Sequence, residues 1–101
     1  MRQAKVFMNH ELAGVLQQTE TGYIFIYEDG YKGPPISLTL PVQKEPYIFE
    51  KFPPFFDGLL PEGMQLEGLL RFKKLDRHDY FGQLMCVGKD LVGAVHVEEI
   101  L

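Results

Sequence analysis

The chain contains one cysteine among its 101 residues, Cys86. A single thiol excludes an internal disulfide framework and favours a reducing compartment. Long apolar runs are also missing, because the longest uninterrupted ones are only a few residues. The pattern therefore predicts no membrane span and no signal peptide. We expect a cytoplasmic protein without a membrane partner.

Positive charge is scarce as well. Ten Lys and Arg residues face fourteen Asp and Glu residues, which gives a net charge of −4. Phosphate binding needs a clustered positive field, and no helix-turn-helix pattern is visible, so we expect no direct contact with nucleic acid. One short segment is basic, and we interpret it as a solvated helix face, with a patch for an acidic partner as the alternative. Its basic residues are Arg71, Lys73, Lys74 and Arg77.

Motifs of the common catalytic and ligand sites are missing too. His10, His78 and His96 show no zinc-ligand spacing, and the ten glycines form no phosphate-binding loop. Cys86 falls near the C-terminal end of a predicted helix, where the helix dipole disfavours a thiolate. We therefore expect no metal, no cofactor and no catalytic residue. The pattern favours a binding protein over an enzyme.

What is present is a globular composition, with 46% hydrophobic and 24% charged residues. It suits one domain over residues 1–101. The first part of the chain has strand patterns. Asn9 predicts a tight turn between the first two strands, since Asn tolerates a positive φ. The third strand is apolar on both faces, which is typical of a central or doubly covered strand. The predicted strands are residues 5–8, 12–16, 22–27 and 36–40.

Helical spacing begins near Tyr47 and predicts three helices. The first starts at the Pro53–Pro54 pair and ends before Pro61, and the second covers residues 64–75. The third follows Asp76 as N-cap and ends at Gly88. Its inward residues are expected to be Tyr80, Phe81, Leu84 and Met85. A closing strand over residues 92–97 completes an α+β fold, with a mainly antiparallel sheet of about five strands and about three helices.

The most unusual composition lies between residues 49 and 64, where four of the eight phenylalanines fall within residues 49–56. A short helix can turn only part of its surface towards its own sheet. Some of these apolar side chains are therefore expected to face outward and mark a protein interface. The alternative is that all of them complete a small core. The candidate contact residues are Phe52, Phe55, Phe56, Leu59, Leu60, Glu62 and Met64.

Four segments together resemble one known family. The chain resembles the N-terminal subdomain of HipA-type toxin kinases over nearly its whole length. The segments are the opening hairpin, matched at residues 6–9 and 13–16, and residues 35–41, 55–63 and 88–95. The third and the last, in this order and spacing, are the specific ones. The resemblance implies the small α+β fold of that subdomain.

The same resemblance implies a function. A chain of this kind on its own is similar to the small antitoxin subunits of HipBST toxin–antitoxin systems. This similarity implies a non-catalytic antitoxin that neutralises a HipT-like serine/threonine kinase by direct contact, in a complex with a HipB-like helix-turn-helix protein. No residue here can be matched to the catalytic Asp and metal-binding Asn of a kinase. The alternatives are a non-inhibitory scaffold, which supports the kinase or bridges it to the DNA-binding protein, and a truncated HipA reading frame.

Inhibition would require a segment that reaches the kinase cleft or a contact that holds the kinase open. The turn over residues 60–65 is the candidate for the reaching segment. Pro61 and Gly63 would fix the loop, Met64 would be its apolar tip, and Glu62 would meet cations in the nucleotide site.

Overall fold

A computed structural model describes residues 1–101. Its core element is a five-stranded sheet in the order β4-β3-β2-β1-β5, in which all neighbours are antiparallel. The strands are β1 (Gln3–Met8), β2 (Glu11–Gln18), β3 (Tyr23–Tyr27), β4 (Tyr47–Phe49) and β5 (Val95–Ile100). The helices are α1 (Pro54–Asp57), α2 (Gly63–Lys73) and α3 (Tyr80–Val87). This architecture confirms the predicted antiparallel α+β fold with three helices.

The hairpin of β1 and β2 turns at two residues with positive φ. Asn9 has a φ of 50° and His10 a φ of 70°. Two successive positive φ angles match the right-handed twist of the flanking strands, which explains why Asn occupies the turn. The predicted tight turn is therefore confirmed. A register shift between Val6 and Phe7 leaves Ala13 as an extra residue in β2.

The core lies between one face of the sheet and the helices α1 and α3. Phe56 of α1, with Phe81 and Leu84 of α3, is fully buried there. The ring centroid of Phe56 lies 5.9 Å from that of Phe25 on β3. Burial of each such side chain contributes about 1.5–3 kcal/mol. The inward positions predicted for Phe81 and Leu84 are confirmed, and Met85 is half-buried and packs against the core. Tyr80 is half-buried and is not part of the core.

The predicted strand over residues 36–40 is wrong. Those residues form a turn in which the Leu40 N–H donates to the Ser37 carbonyl over 3.0 Å. The Tyr27 hydroxyl accepts a hydrogen bond from the Ile36 N–H at 3.0 Å and donates to the Leu40 carbonyl. Because a buried side chain satisfies these backbone groups, the segment needs no strand partner. Leu38 consequently points to solvent and is 95% exposed.

The helical spacing expected from Tyr47 is also wrong at its start. Tyr47–Phe49 pairs with β3 as an edge strand, with Ile24 opposite Ile48. Tyr47 and Phe49 pack against the core, while Ile48 is 74% exposed. Three residues are too few to display a period of two, so the sequence pattern does not distinguish this strand.

Two boundaries differ from the prediction around α3. Asp79 caps the helix, because its carboxylate accepts a hydrogen bond from the Gly82 N–H at 3.0 Å. Asp76, predicted as the cap, instead accepts from the His78 N–H at 2.7 Å in the preceding turn. The helix ends at Gly88 as predicted. The closing strand starts three residues later than expected, at Val95.

The Asp79 carboxylate also anchors the N-terminus of the chain. The Arg2 guanidinium donates to its two oxygens over 2.6 and 3.2 Å. These hydrogen bonds from Arg2 are the main reason why the pKa of Asp79 lies below its usual value, with the Gly82 N–H as a further cause. The ionised carboxylate therefore stabilises the folded chain above the ordinary Asp pKa of about 3.9. That contribution is lost as the pH falls below this value towards the lowered pKa of the folded state.

Asp79→Asn is expected to lower the free energy of unfolding at pH 7 by about 1 kcal/mol. Asn retains the cap function, so the loss reports on the ion pair, which water partly screens because both side chains are partly exposed. Urea unfolding measured from pH 7 down to pH 2 should show a shallower loss of stability below pH 4 in the variant. The exposed Asp29→Asn serves as the control. Parallel pH profiles for Asp79→Asn and the parent would contradict this role.

Candidate protein-binding site

The predicted contact residues fall into three groups in the structure, and the first comprises the phenylalanines. Phe52 is half-buried and packs edge-on against Tyr23, with 5.2 Å between ring centroids. Phe55 is also half-buried and lies 5.2 Å from Phe56. Phe56 itself is a core residue with no exposed surface. It therefore offers nothing to a partner, which corrects its assignment as a contact residue.

Leu59 and Leu60 form the second group, directly after α1. Both are half-buried and pack against the core. The Leu59 N–H donates to the Phe56 carbonyl at 3.0 Å, and the Leu60 N–H donates to the Asp57 carbonyl at 3.1 Å. These contacts fix the base of the segment that follows, so the next residues project from an anchored point.

Glu62 and Met64 form the third group, at the start of α2. Glu62 has an extended backbone, and its exposed side chain makes neither a cap hydrogen bond nor an ion pair. Gly63 follows with a φ of 59°, which glycine adopts without steric cost. Met64 is 91% exposed. The structure thus exposes a carboxylate at the N-cap position and an apolar side chain in the first turn of α2.

Helix α2 lies outside the core, because none of its residues is buried. Leu66, Leu69 and Leu70 are half-buried and share one stripe. On the opposite side Met64 and Phe72 are both exposed, Phe72 by 79%. They stand eight residues apart, or about 12 Å along the axis. Gly68 lies between them, with open space where a Cβ would be.

We call Met64, Gly68 and Phe72 the outer α2 face. Phe72 is the functional candidate that sequence reasoning missed. The available signal was its position, since an aromatic residue on a helix but off the apolar stripe has no place in the core of its own domain. The outer α2 face therefore presents two large apolar side chains, separated by a glycine that permits close approach of a partner backbone.

The basic segment borders this face. Arg77 donates to the Glu67 carboxylate over 2.5 Å, and the Lys73 ammonium lies 5.2 Å from the centre of the Phe72 ring. All four basic side chains are exposed. This exposure fits the interpretation as a solvated surface, but α2 ends at Lys73, so Lys74 and Arg77 lie beyond it and the four residues do not share one helix face. Arg71, Lys73 and Lys74 make no ion pair and border the outer α2 face as free cations.

The histidines and the cysteine, the other residues considered for metal binding or catalysis, are not grouped into one site. His10 and His96 stack with 5.8 Å between ring centroids, because β1 and β5 are neighbours in the sheet. His78 lies apart, beside Tyr80. No three His, Cys, Asp or Glu side chains are grouped closely enough to hold a metal ion. Cys86 is half-buried on α3. No helix has both the length and the apolar character needed to cross a bilayer.

Comparison with known proteins identifies the domain. The HipA N-terminal domain family matches residues 4–98. The chain belongs to this family. It is 32% identical to an uncharacterized protein of Haemophilus influenzae over 99 residues, which cover 98% of this chain and 93% of that protein. The solved N-terminal domain of HipA toxin superposes with a TM-score of 0.80 at 29% identity, covering 100% of this chain and 94% of that domain.

The resemblance drawn from the four sequence segments is thereby confirmed, as is the fold that it implied. Membership in the HipA N-terminal domain family supports a component of a HipA-type toxin–antitoxin system. Within this HipA-type domain, α1 and α3 complete the core, whereas α2 and the turn before it contribute little to it. The outer α2 face with Glu62 is therefore the candidate surface for contact with another protein.

Proposed function

We propose that the chain is a non-catalytic antitoxin subunit of the HipS type. It binds and neutralises a HipT-like serine/threonine kinase toxin by direct contact, and it joins a complex with a HipB-like DNA-binding protein. The observation that carries the proposal is the outer α2 face, where Met64 and Phe72 are exposed on a helix that the core does not need. The similarity to the N-terminal domain of HipA toxin supports the choice of partner.

A domain that packs on a kinase within one chain has a surface suited to burial. On a separate chain the same surface binds the kinase as a partner. A standard interface covers about 800 Å² on each side. The accessible surface of this domain is 6686 Å². An interface of that size would cover about one eighth of it.

The inhibitory element in this proposal is the turn that leads into α2 together with Met64, the second residue of that helix. Met64 is an adaptable apolar side chain at the tip, suited to an irregular cleft. Glu62 has no cationic partner within the chain, so its carboxylate is free to meet a Lys or Mg²⁺ in a nucleotide site. Because Leu59 and Leu60 anchor the preceding residues, the turn enters the cleft with little loss of conformational entropy.

The proposal is tested by co-expression with a HipT-like kinase from the same organism. We expect growth to be restored, the two chains to co-purify in equal amounts, and phosphate transfer by the purified kinase to fall at least tenfold when this chain is saturating. A stable complex without growth rescue would support the scaffold alternative instead. Absence of any complex at low salt would overturn the proposal.

A further inference from the structure

The free cations at the C-terminal end of α2 have no part in the contact proposed so far. Arg71, Lys73 and Lys74 lie within four successive positions, and all three side chains are exposed. None of them forms an ion pair, whereas the neighbouring Arg77 is paired with Glu67. We call these three side chains the basic rim, because they border the outer α2 face. Their charges are available to an anionic partner.

The charge at this end of α2 has the opposite sign to that of the chain as a whole. Residues 67–77 contain four basic side chains and two acidic ones, Glu67 and Asp76, which leaves a local surplus of two positive charges. The next carboxylate along the chain, Asp79, is paired with Arg2. The chain itself carries a net charge of −4. The basic rim is therefore a positive region on an acidic protein.

A structural role accounts for only part of the basic rim. Arg71 and Lys73 lie in the last turn of α2, where cations interact favourably with the helix dipole. Lys74 follows the last helical residue in the left-handed conformation, with a φ of 55° and a ψ of 42°. Helices usually place Gly there, because a Cβ is disfavoured at positive φ. Stability alone would favour glycine at this position, which indicates that the Lys74 side chain serves another purpose.

The basic rim is joined to the apolar part of the outer α2 face. The Lys73 ammonium lies 5.2 Å from the centre of the Phe72 ring, which is itself 79% exposed. An apolar anchor bordered by charged side chains is the arrangement of a protein interface. A nucleic acid would require a larger positive field and would leave Met64 and Phe72 without apolar contacts. The rim therefore suits an acidic protein surface better than a nucleic acid.

We propose that the basic rim pairs with carboxylates of the kinase, on an acidic surface beside the cleft that receives Met64. This inference rests on the proposed function and names the chemistry of the partner surface. The rim acts mainly on association, because opposite charges attract two proteins before they touch. Since the rest of the chain is negative, an acidic kinase surface repels its other sides. The rim thereby selects the orientation in which the outer α2 face meets the kinase.

Association of this chain with the purified kinase, measured by stopped flow at about 50 mM and about 500 mM salt, tests the inference. Arg71→Gln with Lys74→Gln removes two rim charges and keeps long polar side chains. We expect its association rate constant at low salt to fall about fivefold, and the difference from the parent to disappear at high salt. Lys32→Gln with Lys44→Gln is the matched control, because it removes two exposed cations elsewhere. It should associate within about twofold of the parent.

Lys74→Gly separates binding from stability. Glycine adopts the left-handed conformation without steric cost, so we expect the urea midpoint of unfolding to rise. Loss of the ammonium group should nevertheless slow association with the kinase by about two- to threefold at low salt. Slower association by a more stable chain is a result that damage to the fold does not produce. Unchanged association by Lys74→Gly would refute the role of this side chain.

The remaining outcomes distinguish the inference from the proposed function. Equal slowing of the two double variants would assign the effect to net charge and overturn the inference, as would association by the parent that does not depend on salt. Binding of a duplex oligonucleotide that only the rim variant abolishes would assign the rim to nucleic acid instead. A parent that does not bind the kinase at either salt concentration would refute the proposed function as well. A kinase bound equally fast by the parent and the rim variant would refute the inference alone.

Discussion

Phe56→Ala is expected to lower the free energy of unfolding by about 3–5 kcal/mol, the cost typical of removing a fully buried phenylalanine. Its ring packs between Phe25 and Phe55 and has no exposed surface. It also holds α1 in place, since this four-residue helix has no side-chain cap hydrogen bond. A domain of this size has a total stability of about 5–15 kcal/mol, so the variant should lose a large part of it.

Urea unfolding of matched phenylalanine variants provides the measurement. Phe55→Ala removes the same ring from the neighbouring, half-buried position, and we expect a loss of about 1–2 kcal/mol. Phe72→Ala removes an exposed ring and should stay within about 0.5 kcal/mol of the parent. If Phe56→Ala cost no more than Phe72→Ala, Phe56 would not be a core residue and would return to the set of candidate contacts.

The parts of the fold that were predicted correctly are those with a local cause. Asn9 marks the hairpin turn because few residues tolerate positive φ. Phe81 and Leu84 are three positions apart in a helix with a cap before it and Gly88 after it, so their shared face follows from helical geometry. Each of these predictions needs only a few neighbouring residues.

The errors arise where a distant residue decides the conformation. Residues 36–40 alternate like a strand, yet the Tyr27 hydroxyl takes up their backbone hydrogen bonds from nine residues or more away. No local pattern contains that information. Likewise, residues 47–49 form a strand only through their pairing with β3, in which Ile48 lies opposite Ile24. These three residues carry no detectable period by themselves.

The sequence indicated which stretch of the chain holds the candidate contact residues, but not which of their side chains are exposed. A helix of four residues makes barely one turn, so the sequence cannot orient Phe55 and Phe56, and only the packed structure shows that Phe56 points inward. The exposure of Met64 follows from the position of α2 outside the core, which depends on how α1 and α3 fill it. The helical spacing of the leucines indicates which side of α2 is apolar. Phe72 lies on the opposite side of the helix, so this pattern does not select it.

Met64→Asp is expected to weaken kinase neutralisation by about 30- to 1000-fold, the range for a central contact residue worth 2–4 kcal/mol. The substitution puts a carboxylate where the proposal requires an apolar tip in a desolvated cleft, and such a charge is costly to bury. Because Met64 is exposed in the free chain, the free energy of unfolding should change by less than about 0.5 kcal/mol. Kinase inhibition titrations and urea unfolding measure the two effects separately.

Three further variants locate the inhibitory contact. Gln65→Asp makes the same change of charge one residue along α2, and we expect it to inhibit nearly like the parent. Glu62→Lys should inhibit poorly if its carboxylate meets cations in the nucleotide site. Phe72→Ala should require about tenfold more protein for the same inhibition, yet still reach full inhibition at saturation, because a peripheral contact contributes affinity without occupying the cleft.

The contrast between Met64→Asp and Gln65→Asp decides the mechanism. A general electrostatic effect on an acidic protein would weaken both variants equally, since each adds one negative charge at the start of α2. A steric plug formed by the turn would weaken only Met64→Asp, and Met64→Leu would retain inhibition because its volume and apolar character are similar. If Met64→Asp and Glu62→Lys both neutralise the kinase as well as the parent, the turn does not enter the cleft, and inhibition must come from a contact that holds the kinase open.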